Sequence, residues 1–155
     1  MDNQKTYLSK EKYKELSNEL DFLTTTRRKE IAEKLEYAKS LGDLSENAEY
    51  QEARDDQAAT EKRIAELELL LKNVEVVKKH HSDEVEIGSA LVVQRVGEKQ
   101  KRDFQIVGSE EADMATGKIS NVSPLGKALM GGKKGDTVSF ESPAGEVKYK
   151  IVSIE

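Results

Sequence analysis

Apolar residues in the first half of this chain recur every three to four positions, as Tyr13, Leu16, Leu20 and Leu23 and again as Ile31, Leu35 and Ala38. That spacing lays them along one stripe of a helix with charged residues between, the pattern of a two-stranded coiled-coil seam. The step changes between Leu23 and Ile31, eight positions on, which predicts a local unwinding around Arg27. Beyond a break at residues 42–50, Tyr50, Ala53, Gln57 and Thr60 continue the seam with small or polar side chains, and Ile64, Leu67, Leu71 and Val74 finish it with large apolar ones. The part nearest the break should therefore bury less apolar area and open more readily than the base.

No proline interrupts this half, and Gly42 is the one place suited to reversing the chain. Two antiparallel helices are predicted, and roughly 30 residues at about 1.5 Å each would make a finger on the order of 45 Å long. Residues 1–5 are expected to be loosely held. Ser9 is the expected N-cap of the first helix, with Leu8 and Tyr13 as an apolar staple around it.

The second half changes period. Residues 90–96 and 102–107 are β-branched runs that predict strands, 118–120 a short strand, and 137–141 and 146–154 an antiparallel pair around a Ser-Pro-Ala-Gly turn. Ser123-Pro124 opens a short helix with serine as cap and proline where its missing N–H costs nothing, and Leu125, Ala128 and Leu129 share its inner face before Gly131-Gly132 end it. The fold class is α+β: an N-terminal antiparallel coiled coil over residues 1–77 with its acidic tip at 42–50, a polar connector over 78–86, and a small antiparallel sheet carrying one helix over 87–155.

Composition narrows the function. Of 155 residues, 35% are charged and only 5% aromatic, which suits a solvated coiled coil joined to a modest compact unit. A net charge of −5 argues against broad electrostatic binding of nucleic acid, so any such contact is expected to be local or brought about by a partner. The absence of cysteine excludes disulfides and thiolate chemistry, and no run is apolar and long enough for a signal peptide or membrane span, so a cytoplasmic location is expected. The adjacent His80 and His81 have no further ligand nearby and read as an exposed connector rather than a metal site.

Candidate chemistry concentrates in Gly42-Asp-Leu-Ser-Glu-Asn-Ala-Glu-Tyr50. Asp43, Glu46 and Glu49 follow one another at intervals of three, which is both a capping-box spacing that favours a helix start and a way to converge two carboxylates on one side of a tip. Hard oxygens so placed suit Mg²⁺, although two carboxylates alone bind it weakly and would need a partner's site. The basic residues Arg27, Arg28, Lys29, Lys34 and Lys39 give the finger a cationic side, but Glu30, Glu33 and Glu36 are interleaved and a solvated, ion-paired face explains them as well.

The same nine residues resemble the tip motif of the GreA/GreB transcript cleavage factors of bacterial RNA polymerase. The likeness continues in order through Ile106-Val-Gly, Glu111-Ala-Asp, Gly117-Lys-Ile-Ser, Ser123-Pro-Leu-Gly-Lys-Ala-Leu129 and Gly135-Asp136, on the GreA side of the family. The resemblance implies a coiled-coil finger and an FKBP-like C-terminal domain, in a monomeric cofactor of the polymerase rather than an enzyme of its own. It implies that the finger passes through the secondary channel to the active centre, where Asp43 and Glu46 help hold a shared Mg²⁺ and orient a water for cleavage of backtracked nascent RNA. By the same resemblance Arg28 and Arg54 lie near the RNA 3′ end, and Ser123, Pro124 and Leu125 dock on the channel rim. Asn47, Glu49 and Tyr50 would shape the tip. Lys29 replaces a proline common in the family and Leu41 a histidine, while Val122 is less polar than a docking edge would suggest.

Two other readings stay open from sequence. A Gre-like protein can plug the channel without stimulating cleavage. A peptidyl-prolyl isomerase tethered to a coiled coil is the other, although Phe104, Phe140 and Tyr149, the domain's aromatic residues, sit at strand positions that suit a core better than a proline pocket.

Overall fold

The computed structural model describes residues 5–43, 47–78 and 82–155. They form two compact units, one falling within residues 13–73 and the other formed by residues 5–12 together with the described residues from 74 to 155.

The first unit is a helical hairpin. Helix α1 (Lys10–Phe22) runs through a five-residue π turn, Leu23–Arg27, into α2 (Arg28–Ser40), and α3 (Ala48–Lys72) returns. Cross-helix partners rise on one strand of the hairpin as they fall on the other, with Glu19 opposite Arg63, Arg28 opposite Glu61 and Ala38 opposite Asn47, so the helices are antiparallel. Much of the seam predicted from apolar spacing is buried, with Leu16, Ile31 and Ala38 on the outgoing arm and Ala53, Thr60, Ile64 and Leu67 on the returning one, whereas Gln57 is exposed. The expected unwinding is also present, since Arg28 N–H donates to the Leu23 carbonyl five residues back. Eight residues of regular α-helix turn the stripe by about 80°, whereas seven return it to within about 20°. The π turn absorbs the extra residue and keeps Leu23 and Ile31 on one face. Thr24 and Thr25 assist by donating their hydroxyls back to the Leu20 and Asp21 carbonyls.

The second unit is built on a five-stranded sheet of order β5-β4-β3-β7-β6, from β3 (Ala90–Arg95), β4 (Lys101–Val107), β5 (Lys118–Ser120), β6 (Thr137–Ser142) and β7 (Gly145–Ile154). The strands match the predicted runs closely, and all pairs are antiparallel except β4 with β5, which run parallel. Helix α4 (Pro124–Leu129) covers the sheet, burying Leu125 and Leu129 against a core of Leu91, Val93, Ile106, Ile119 and Ile151.

The ends of the helical segment differ from the sequence expectation. Residues 6–9 are a strand, β1 (Thr6–Ser9), paired in parallel with β2 (Val74–Val77), and both belong to the sheet-containing unit rather than to the finger. Leu8, expected to staple the helix start, is a fully buried strand residue, and Tyr13 stays 38% exposed. Gly108, just past β4, makes the fit possible: a β-carbon there would stand 2.0 Å from the Tyr7 carbonyl oxygen. The expected connector over 78–86 is partly structural too. Val85 is buried and exchanges backbone hydrogen bonds with Gly131 and Gly132, because an apolar side chain flanked by polar ones can enter a core only if its backbone groups find partners. His80, His81 and residues 1–4 lie outside the described residues.

Candidate functional site

The tip of the hairpin is assembled by one glycine and one asparagine. Helix α2 ends at Ser40 with Leu41 as its C-cap, and Gly42 leaves it at φ 120° with open space around its α-carbon. Glycine is required there by backbone conformation and not by crowding. Asp43 follows and is exposed. Leu44, Ser45 and Glu46 lie outside the described residues, so the expected Asp43 and Glu46 pair is located through Asp43 alone.

Asn47 closes the turn. Its backbone is extended, its Oδ1 accepts from the Tyr50 N–H at 3.1 Å, and its Nδ2 donates to the Ala38 carbonyl at 2.6 Å. One side chain thus caps α3 and ties it to the last turn of α2. The N-cap of α3 is Asn47. Among the described residues, no three His, Cys, Asp or Glu side chains gather into a metal site.

The basic face is largely paired. Arg28 makes a two-point contact to Glu61, Nε to Oε1 at 2.8 Å and Nη2 to Oε2 at 2.9 Å. That hydrogen bonding raises the Arg28 pKa and lowers that of Glu61. Arg27 and Lys34 both reach Asp56 at 3.6 Å. Arg54 is exposed on α3 and makes no ion pair among the described residues. The solvated-face expectation therefore describes Arg27, Arg28 and Lys34 at rest, and Arg54 stands apart from it.

In the sheet unit Ser123 is the N-cap of α4, its Oγ accepting from Gly126 N–H at 3.0 Å and donating to the Ser120 carbonyl at 2.7 Å. Leu125 points into the core, whereas Pro124 and Val122 are exposed. Of the three expected docking residues, Pro124 offers the surface and the other two hold its turn. Phe104 packs edge-on to Tyr149 at 6.0 Å, and Phe140 stacks on Tyr149 at 6.2 Å. These rings fill one another's space, as the core reading expected.

Sequence reasoning missed one residue that organises this unit. Glu111 accepts the Ser9 N–H at 2.9 Å and the Ser9 hydroxyl at 2.6 Å, while Ser9 Oγ accepts from Lys12 N–H as the predicted cap. The Val-Glu-Val-Val run at 74–77 was the signal that a strand, not a helix end, stands at the finger's base.

Similarity to known proteins covers both units. Residues 6–76 match the family described as "Transcription elongation factor, N-terminal", and residues 79–155 match "Transcription elongation factor, GreA/GreB, C-term". The chain is 49% identical over 144 residues to transcription elongation factor GreA of Clostridium acetobutylicum, spanning 92% of this chain and 91% of that one. It is 48% identical over 149 residues to the GreA of Thermoanaerobacter pseudethanolicus, spanning 95% of each. Among solved structures, the GreA factor homolog 1 protein of Thermus thermophilus aligns over 98% of this chain and 99% of its own at 26% identity and a TM-score of 0.45. No helix among the described residues is long and apolar enough to cross a membrane. With both halves matched in order and close relatives aligned nearly end to end, the chain belongs to the GreA/GreB family of transcription elongation factors.

Proposed function

We propose that this protein inserts its helical hairpin into the secondary channel of bacterial RNA polymerase and stimulates the polymerase's own hydrolysis of backtracked nascent RNA, releasing arrested complexes. The observation that carries this reading is the placement of Asp43: an exposed carboxylate directly past the Gly42 reversal, on a turn clamped by Asn47. An acid there lies where a finger would present it to a partner.

Asp43, with Glu46, supplies hard oxygen ligands of the kind Mg²⁺ takes, but two carboxylates are an incomplete set, and the rest come from the polymerase and its RNA. Held by these carboxylates and the polymerase together, a shared Mg²⁺ would supply a lowered pKa for a bound water and stabilisation of charge on phosphate oxygens. The tip contributes orientation. Asn47 fixes the angle at which the turn leaves α2, Gly42 permits it, and the paired helices behind it resist bending. Pro124, set by the Ser123 cap, meets the channel rim, while Arg28 and Arg54 approach the displaced RNA 3′ segment. In this role the protein is a cytoplasmic monomer and a cofactor, not a nuclease.

The test is a stalled, backtracked polymerase complex with 3′-extruded RNA, to which wild-type protein, Asp43→Ala or Glu46→Ala is added, with a control lacking polymerase. Polymerase-dependent cleavage lost in either variant, with competitive binding retained, is the expected result. Binding by the wild type without any stimulation would make the protein an inhibitory channel plug instead.

A further inference from the structure

Arg28 and Glu61 face each other across the hairpin at the start of α2, immediately after the π turn. Their two parallel hydrogen bonds occupy the Nε–Nη2 edge of the guanidinium. The other edge, Nη1 with the remaining N–H of Nη2, is left over, and the side chains stay 45% and 48% exposed. The pair lines a cleft of about 80 Å³ together with Ile31, Ala32, Leu35 and Gln57.

The neighbouring cations are held differently. Arg27 and Lys34 share the single carboxylate of Asp56 at 3.6 Å, without the two-point geometry, and Arg54 makes no ion pair among the described residues. Arg63, the second residue after Glu61 on α3, has a similar two-point contact, to Glu19 on α1. Of Arg27, Arg28 and Arg54, Arg28 is the one whose plane is fixed.

We propose that Glu61 is a positioning residue: it locks the Arg28 guanidinium so that its free edge is presented, in one orientation, to a phosphate of the displaced RNA. The proposal rests on the transcript-cleavage reading above. An exposed ion pair adds little to stability, yet an unrestrained arginine loses rotamer freedom when it docks, and a partner that orders it beforehand removes that cost. Planar two-point recognition of phosphate is what a fixed guanidinium does well. Glu61 also offsets part of the arginine's charge, so the gain appears in alignment of bound RNA rather than in long-range attraction.

The experiment measures cleavage in the backtracked complex at saturating factor, together with the factor concentration for half-maximal rate. Arg28→Ala and Glu61→Ala should each lower the saturated rate about two- to ten-fold, the range that ordering one long side chain is worth, with little change in the half-maximal concentration. The double variant should be no worse than Arg28→Ala. The exchanged pair, Arg28→Glu with Glu61→Arg, restores the interhelical contact, so its thermal midpoint should match the wild type while its cleavage stays low. Recovery of cleavage by the exchanged pair would make the contact a structural pin and overturn the proposal. A faster rate in Glu61→Ala would overturn it by showing that Glu61 masks the arginine. Unchanged cleavage in Arg28→Ala, with Asp43→Ala inactive, would sink this proposal and leave the transcript-cleavage reading standing. Absence of stimulation by the wild type would sink both.

Discussion

The hydroxyl and backbone N–H of Ser9 both donate to the carboxylate of Glu111, a residue 102 positions further along the chain, while the same hydroxyl oxygen caps the first helix through Lys12. The start of α1 is thereby fastened to the turn that follows β4. Glu111→Ala leaves Ser9 with two unmatched donors and should destabilise the protein by about 2 kcal/mol. Ser9→Ala adds loss of the cap, worth about 1 kcal/mol on its own. Urea unfolding of the two single variants and the double variant tests this. Additive effects would show that the two residues do not act through each other.

Asn47 does two jobs that substitution can separate. Asn47→Asp keeps the acceptor for Tyr50 N–H and loses the donor to the Ala38 carbonyl. It should retain the start of α3 but loosen the tip, so cleavage stimulation falls while the unfolding midpoint moves little. Asn47→Ala loses both and should also cost about 1 kcal/mol through the missing cap. Equal activity in Asn47→Asp and wild type would show that the tie to Ala38 is not needed to aim Asp43.

The π turn at Leu23–Arg27 makes an unusual prediction: removing a residue should be tolerated. Deleting Thr25 would convert the turn to regular α-helix and bring Leu23 and Ile31 to seven-residue spacing, still on the buried face. The deletion should fold with helical content and thermal stability at least equal to the wild type, measured by circular dichroism. A large loss of stability would mean that the register of α2 against α3 depends on the extra residue itself.

The Arg28 and Glu61 pair carries a pH signature of known sign. Arg28 holds the Glu61 pKa below its ordinary value of about 4.3. The pair's contribution is therefore fully present above that value and is lost as pH falls through the lower, folded-state pKa. The Arg28 pKa is raised further from an already high ordinary value, chiefly by its hydrogen bonds to Glu61, and adds no titration under ordinary conditions. Because both groups are exposed, the effect is small and screened by salt. Glu61→Gln should lower the unfolding midpoint slightly at about pH 7 and low salt, and the difference should disappear near pH 2 or in about 1 M salt. A difference that persists in acid would have to come from packing of the glutamate stem.

Sequence alone determined the elements whose causes are local. Apolar spacing located the buried stripe of the hairpin and even the irregular step that became the π turn, because a helix converts spacing directly into direction. Ser9 and Ser123 were legible as caps, and Gly42 as the reversal, because each requirement is met within a few residues. Only the tertiary structure decided what depends on distant partners: that residues 6–9 and 74–77 pair as parallel strands, that Val85 enters the core, that β5 lies parallel to β4, and that Glu111 receives Ser9. At the tip, the spacing of Asp43, Glu46 and Glu49 suited both helix capping and ligand convergence. The structure gives the cap of α3 to Asn47, whose Oδ1 accepts from the Tyr50 N–H while its amide nitrogen reaches a carbonyl nine residues back, a contact no local spacing announces. Local periodicity sets the direction in which a side chain points, but which group it meets is settled when separate segments compete to satisfy one another's polar atoms and bury one another's surface.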